Sequence, residues 1–369
     1  MTEPAYPAAR AAAVRVHPRY ARDPSGMVPD VETIEEIVDV AFWMSLRREE
    51  SYTPRLSLAF TPATQLERPL VFERPVPLAS QPLTRLAPAV ERSGIHLCVW
   101  RQGGELSVWG ATMSLPEYCF VLEVVAPGLL VIKQSRGDES GKFVNIAVLQ
   151  GEEIKVVDQN AAAVPDCPEL LTSLLGLESA FHSPDSLNVL IQLAVSMRAH
   201  GRGGSLLVVP VNKQEWQQSI LQPITYAVAP VFRSLVDLMG EEARERTRLR
   251  WQEALRRVVD KIAGLTAVDG ATIVTGQYEL LAFGAKIVRR SGRDQVDQVI
   301  VTEPIEGSVA EIVEPGRLGG TRHLSAAQFA HDQRDSIALV ASQDGRFTVF
   351  GWSSCEQMVH AHRIETLLL

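Results

Sequence analysis

Three tight turns in the first half of the chain constrain its fold more than any other feature. They are a Gly-Gly pair at residues 103–104, a Pro-Gly pair at 127–128 and a Gln-Gly pair at 150–151, each between two apolar runs. Short turns of this kind join strands that run in opposite directions, whereas parallel strands need a much longer connection. Residues 95–157 therefore predict six consecutive strands of an antiparallel sheet.

The segments before this sheet carry weaker signals. Residues 31–48 place their apolar side chains on one helical face, with acids early and bases late, as the helix dipole favours. The proline-rich residues 53–90 predict an extended connector or edge strand followed by a short helix. We expect residues 1–30 to form a flexible tail and residues 31–165 to form an N-terminal α+β domain, a candidate regulatory domain.

From residue 185 onwards helical and strand patterns alternate. The run Ser-Leu-Leu-Val-Val-Pro-Val at 205–211 is continuously apolar, which is typical of a strand buried on both faces. A long amphipathic helix is predicted over residues 241–265, followed by a hairpin, a strand, a helix and a second hairpin. The fold class is thus an antiparallel β-rich domain followed by a mixed-sheet α/β domain over residues 185–369.

Composition narrows the function classes. The chain of 369 residues has a net charge of -8, and a protein that binds a nucleic-acid polymer is more often basic. The four cysteines include no CxxC pair, and no run of about 18 apolar residues predicts a membrane span. The scattered histidines suggest no metal site, and His360 and His362 are expected to be exposed. Together with a start that lacks the apolar core of a signal peptide, these features predict a cytoplasmic protein.

Residues 319–323, Gly-Gly-Thr-Arg-His, have the composition of an anion-binding loop. Glycines permit positive φ and close approach, and the first N–H groups of a helix favour an anion. Arg322 can hold phosphate oxygens with two donors, Thr321 adds a hydroxyl, and His323 can donate or carry a proton. The same residues are also typical of a helix cap with an exposed arginine and a packed histidine, and this is the alternative interpretation.

Two further short motifs indicate a function only when they are considered together with this loop. Asp-Gly-Ala at 269–271 places a carboxylate in a turn before a strand, and Ala-Ser-Gln-Asp-Gly at 341–345 lies between two strand signals. Taken alone, each is an ordinary turn.

The order of these pieces resembles that of the diadenylate cyclase domain of DNA-integrity-scanning proteins, which carries a DGA motif and a GTRHR motif at this spacing. The resemblance covers residues 185–369. The sequence is most similar to a divergent branch called DACNV, described as a probable sensor domain, in which GTRH is followed by a Ser-Ala-Ala stretch.

The resemblance implies a site for ATP and a role for each residue that matches the family's motifs. Asp269 would ligate Mg²⁺ or Mn²⁺ and help activate a ribose 3′-hydroxyl, and Arg322 and His323 would join it as catalytic residues. The nucleotide-binding residues would be Gly270, Ala271, Ile287, Gly320, Thr321, Arg322, His323 and Ser342. Because two such domains face each other to form cyclic di-AMP, the resemblance also implies a homo-oligomer.

The sequence departs from the family pattern in two places. Leu324 stands where the family has a second arginine, and Ser342-Gln343 replaces a Ser-Glu pair. Losing one charge-assisted phosphate contact costs about 1.5–3 kcal/mol. Two hypotheses therefore stay open. One is an enzyme that condenses two ATP to cyclic di-AMP. The other is a weakly active or inactive sensor that binds ATP or a cyclic dinucleotide and signals its occupancy to a partner.

Overall fold

The chain consists of two compact units, Met1–Val157 with Leu369 and Asp158–Leu368. The computed structural model describes residues 3–20, 28–48, 52–92, 94–135, 143–158, 189–246 and 248–369. The predicted end of the first domain at 165 and the predicted start of the second at 185 lie outside the described residues. Within the described ranges, no helix combines the length and the apolar character that a membrane crossing requires.

In its described residues the first unit contains an eight-stranded sheet and three helices. Its helices are α1 (Ala9–Tyr20), α2 (Val31–Leu46) and α3 (Ser80–Val90). Its strands are β1 (Leu56–Phe60), β2 (Leu70–Pro77), β3 (His96–Gln102), β4 (Glu105–Thr112), β5 (Phe120–Ala126), β6 (Leu129–Ser135), β7 (Phe143–Gln150) and β8 (Glu153–Val156). The three predicted hairpins are confirmed as the antiparallel pairs β3–β4, β5–β6 and β7–β8.

The sheet is not antiparallel throughout, as the turns alone predicted. Its order is β2-β4-β3-β1-β5-β6-β7-β8, and β1 runs parallel to β3. β1 comes from the proline-rich segment, yet four of its five residues are buried, so it lies inside the sheet while β2 forms the edge. The connection from β1 to β3 contains β2 and α3, which is long enough to join two parallel strands.

Residues 9–20 form α1 where a flexible tail was predicted. This helix packs on α2 through a buried face made of Ala9, Ala12, Ala13, Val16 and Tyr20. Small alanine side chains give a weak apolar signal in a sequence, but they allow two helices to approach closely. The hydroxyl group of Tyr20 also donates a hydrogen bond of 2.7 Å to the carbonyl of Lys133.

The second unit contains a nine-stranded mixed sheet. Its strands are β9 (Gly204–Val209), β10 (Tyr226–Phe232), β11 (Ala271–Thr275), β12 (Leu280–Ala285), β13 (Val299–Thr302), β14 (Glu311–Val313), β15 (Ile337–Ala341), β16 (Phe347–Ser353) and β17 (Met358–Arg363). Their order is β10-β12-β11-β9-β15-β16-β17-β13-β14, with β9–β11 and β13–β17 parallel. The helices of its described residues are α4 (Val189–Ala199), α5 (Ser234–Met239), α6 (Ala243–Arg246), α7 (Leu249–Leu265) and α8 (Thr321–Asp332).

Helices cover both faces of the strand β9, all six residues of which are buried, as the sequence predicted. Leu206 and Val208 belong to one apolar core with residues of α4 and α7. Leu207 and Val209 belong to another core with residues of α8. Both units therefore combine a mixed sheet with helices, and the second is layered around β9.

Two predictions for the second unit were wrong in detail. The single helix expected over residues 241–265 begins later, because α7 starts at Leu249 after the short α6. His360 and His362, expected to be exposed, are only 3% and 5% exposed. They lie in β17, which pairs with β16 on one side and with β13 on the other. This strand is therefore internal to the sheet.

Substitutions at two glycines test the packing of β9 against the end of α7. A Cβ atom on Gly204 would lie 2.6 Å from the carbonyl oxygen of Thr266, whereas a Cβ on Gly264 would meet no atom within 4 Å. We expect Gly204→Ala to lower the free energy of unfolding by about 1–3 kcal/mol. The control Gly264→Ala, in α7, should raise it by about 0.5–1 kcal/mol. Chemical denaturation of both variants measures the difference, and equal effects would contradict the packing.

Candidate functional site

Strand pairing brings the three sequence motifs to one edge of the second sheet. β9 and β11 run parallel with Ser205 opposite Ala271, so both strands start at this edge. β15 runs antiparallel to β9 with Ala341 opposite Gly204, so β15 ends there. β12 ends at the same edge, with Ala285 opposite Ala271. Four strand ends thus meet where the motifs begin or end.

A cleft of about 750 Å³ opens at this edge, beside the first turn of α8. Its volume is within the range of small-molecule sites. All the residues that the sequence nominated line it: Asp269, Gly270, Ala271, Ile287, Gly320, Thr321, Arg322, His323 and Ser342. Their placement in one cleft is a finding, while their binding and catalytic roles remain predictions. Leu324, the position of the family's second arginine, is 36% exposed and is not among the lining residues.

Gly270 serves the packing of the backbone. Its φ is +116°, and a Cβ atom there would lie 2.5 Å from the carbonyl carbon of Gly284. The next residue, Ala271, is 1% exposed and begins β11. The small residues after Asp269 therefore let the turn lie close to the end of β12, which also forms a wall of the cleft.

The glycine pair before α8 does not use positive φ, contrary to the expectation from the sequence. Gly320 is the N-cap of α8 with φ -76°, and Gly319 is not among the glycines with positive φ. A Cβ atom on Gly319 would lie 2.4 Å from Nδ1 of His323. The first glycine is thus required because the imidazole ring fills the space that its side chain would occupy.

His323 is packed and neutral. It is 2% exposed, and its ring meets that of Phe350 edge to face with the ring centroids 6.1 Å apart. Its Nε2 has no hydrogen-bond partner among the described residues. Burial lowers the pKa of the imidazole below its ordinary value of 6.5, so His323 contributes no positive charge at neutral pH. His323 therefore agrees with the alternative interpretation of this loop, a helix cap with a packed histidine.

Arg322 is the cation of the site that keeps its donors available. It is half-buried in the first turn of α8, and its Nη1 would lie 2.9 Å from a Cβ atom on Gly203. Gly203 has a φ of +68° and lies in the loop after α4, so a glycine at this position leaves room for the guanidinium. Within the described part of the chain, the guanidinium of Arg322 has no hydrogen-bond or ion-pair partner.

The two carboxylates of the cleft are both engaged. Asp269 accepts a hydrogen bond from Nζ of Lys286 at 2.5 Å, and this contact lowers the pKa of Asp269. Asp344 accepts a hydrogen bond from the Ser342 hydroxyl and lies 3.3 Å from Nε of Arg346. With His323 neutral, three cations minus two carboxylates leave the lining with a net charge of +1, in a chain whose net charge is -8.

The carboxylates of the cleft, as they are arranged, do not fit a divalent cation. Magnesium demands near-octahedral oxygen ligands, and the carboxylate nominated as its ligand, Asp269, is already paired with Lys286. No group of three or more His, Cys, Asp or Glu side chains suited to a metal occurs among the described residues. The chemistry that the arrangement supports is the binding of an anion by cationic and hydroxyl donors.

The hairpin that carries Asp344 is hydrogen-bonded to the end of α4 and to the loop after it. Nε of Arg198 donates a hydrogen bond of 2.8 Å to the carbonyl of Gly345. The amide of Gln343 donates one of 3.4 Å to the carbonyl of Arg202. The position of this wall of the cleft therefore depends on α4 and on the loop that follows it.

Sequence reasoning missed two cations, Lys286 and Arg346, that line the cleft. Both lie within predicted hairpins, Lys286 in the hairpin of residues 269–288 and Arg346 at the turn of the hairpin of residues 336–352. The antiparallel register that places Ala285 opposite Ala271 brings Lys286 beside Asp269. Arg346 lies two residues beyond Asp344 across a tight turn. The register of β11 with β12 shifts between Ala271 and Ile273 and again between Ile273 and Val274, so counting pairs outward from the turn would not have placed Lys286 beside Asp269.

The family described as "Probable sensor domain DACNV" matches residues 23–113. The resemblance to DACNV is therefore confirmed. The match lies in the first unit, however, whereas the motifs that suggested it lie within residues 185–369. It consequently leaves the roles of the cleft residues untested.

Two solved structures show weak likeness. One is a hypothetical membrane spanning protein from Bacillus cereus, 15% identical with a TM-score of 0.28, covering 51% of this chain and 69% of that one. The other is a double mutant of DacA from Staphylococcus aureus, 14% identical with a TM-score of 0.24, covering 47% of this chain and 83% of that one. At these scores neither supports an argument about this protein. No curated protein matches the sequence.

We expect the His323 ring to titrate below pH 6.5, because burial lowers its pKa. The unfolded chain then binds more protons than the folded protein as the pH falls through 6.5, so this group destabilises the fold at lower pH. A nitrogen NMR titration of the ring measures the pKa, and His323→Gln assigns the signal. The variant should also show a smaller loss of unfolding free energy below pH 6.5. A ring protonated at pH 7 would contradict the packed position.

Proposed function

We propose that the cleft of the second unit binds the phosphate groups of a nucleotide, either ATP or a cyclic dinucleotide, and that the protein acts as a sensor of this ligand. The observation that carries the proposal is the guanidinium of Arg322, which has no hydrogen-bond or ion-pair partner among the described residues and lies in a cleft whose lining is cationic. An available guanidinium binds phosphate oxygens with paired donors.

Other residues of the cleft suit the remaining parts of such a ligand. The first turn of α8 offers backbone N–H groups and the Thr321 hydroxyl to an anion. Ile287, half-buried on the wall, offers an apolar surface to a base. Phosphate contacts at one side and an apolar contact at the other are the combination that a nucleotide requires.

Sensing is favoured over turnover by the state of the reactive groups. Asp269 is ion-paired with Lys286, and His323 is buried and neutral. Phosphoryl transfer depends on positioned charges that stabilise the transferred group, and here two of the three nominated groups are engaged or uncharged. The matching family, described as a probable sensor domain, supports the same proposal.

A second candidate function is the condensation of two ATP to cyclic di-AMP. It is favoured by the carboxylate of Asp269, which is 88% exposed in the same cleft as Arg322. In this reaction a ribose 3′-oxygen would attack an α-phosphorus, the proton would pass to Asp269, and pyrophosphate would leave. Two copies of the chain would each bring one ATP.

Incubation with ATP and Mg²⁺ or Mn²⁺, followed by chromatography of the products, tests this second function. Cyclic di-AMP formed by the wild-type protein and not by Asp269→Asn would support it. The same nucleotide trace from both proteins would exclude it, and would leave binding as the function of the cleft.

Arg322→Ala tests the proposed binding. Removing the guanidinium should weaken ATP or cyclic di-AMP binding at least about 10-fold, the equivalent of one charge-assisted contact. Isothermal titration calorimetry measures the change. Arg317→Ala is the matched control, because Arg317 is exposed in the segment before α8 and does not line the cleft. Absence of binding of both ligands to the wild-type protein, or unchanged binding by Arg322→Ala, would exclude the proposal.

A further inference from the structure

Lys286 occupies a defined position in the cleft that neither the motifs nor the matching family assigns. It follows β12 directly, and its Nζ lies 2.5 Å from Oδ2 of Asp269. The side chains of Lys286 and Asp269 are 51% and 88% exposed, so the pair lies at the open side of the cleft. The pairing of Ala285 with Ala271 holds the two backbones opposite each other.

We propose that Lys286 takes the place of a divalent cation, so that the cleft binds the phosphate groups of its nucleotide through Lys286 and Arg322 without a metal ion. The inference rests on the proposed function, because it concerns the same ligand and the same cleft. Asp269 then acts as a positioning residue that holds the ammonium group, and it is not a metal ligand.

The charges support an ammonium at this position over a metal. A divalent cation bound to Asp269 would have to displace Lys286 or lie beside its positive charge, and repulsion between like charges disfavours the second arrangement. Magnesium at a phosphate site is held by one or two carboxylates together with waters and the phosphates themselves. The carboxylate that would hold it here, Asp269, is already bonded to Lys286.

The hydrogen-bonding capacity of Lys286 supports a direct role toward phosphate. An ammonium group has three donors, and the described contact with Asp269 uses one of them. Arg322 has five donors, none of them engaged among the described residues. The two side chains line the same cleft, and both therefore keep donors for phosphate oxygens that would otherwise be neutralised by a metal.

Calorimetry with ATP in EDTA and with ATP in excess Mg²⁺ tests the inference. The wild-type protein should bind ATP in EDTA at least as tightly as in Mg²⁺. Lys286→Ala should weaken binding in EDTA about 10-fold or more, and Mg²⁺ should recover part of the loss because Asp269 is then unpaired. Lys213→Ala is the matched control. It removes a similar ion pair, 2.6 Å from Asp335, from residues that do not line the cleft.

The outcomes separate the inference from the function on which it rests. ATP binding that requires Mg²⁺, or Lys286→Ala that binds like the wild-type protein in EDTA, overturns the inference and leaves nucleotide binding intact. Absence of binding of both ATP and cyclic di-AMP, with and without Mg²⁺, overturns the proposed function and the inference together. Weakening by Lys213→Ala equal to that of Lys286→Ala would show a general loss of charge and would also overturn the inference.

Discussion

The pairing of β9 with β11 on one side and β15 on the other is the constraint on which the site depends. All six residues of β9 are buried, and alternate side chains belong to different apolar cores. A slip of one residue would exchange the two sets of side chains between the faces. Because burial locks this register, Ser205 stays opposite Ala271 and Gly204 stays opposite Ala341. Three distant segments of the chain therefore meet at one edge.

The electrostatic character of the cleft follows from ion pairs formed within the hairpins that meet there. Each carboxylate lies near a cation, Asp269 with Lys286 and Asp344 with Arg346, so neither leaves an excess of negative charge. The guanidinium of Arg322 is the cation without such a partner among the described residues. A cleft with this balance is suited to an anion, and its polar groups are oriented by the strand ends and by the first turn of α8.

The match to the sensor-domain family and the cleft lie in different units. The match to the probable sensor domain DACNV covers residues 23–113, which include α2 and β1 to β4 of the first unit. The cleft and its motifs lie in the second unit. The chain thus combines a region that a known family describes with a cleft whose chemistry supports binding of a phosphorylated ligand. Hydrogen bonds join Arg198 of α4 and Arg202 of the loop after it to the hairpin at the cleft.

The local features of the fold followed from the sequence alone. Tight turns determined the hairpins, a continuous apolar run determined the buried β9, and the order of the motifs nominated residues that share one cleft. Long-range features did not follow. The parallel position of β1, the burial of β17 and the packing of α1 depend on partners far away in the chain, which local periodicity does not specify. Likewise, the residue types at the site came from the sequence. Only the tertiary structure decided that Lys286 holds Asp269, that Gly319 makes room for a neutral His323, and that Arg322 keeps its donors available, because register and burial determine which side chains meet.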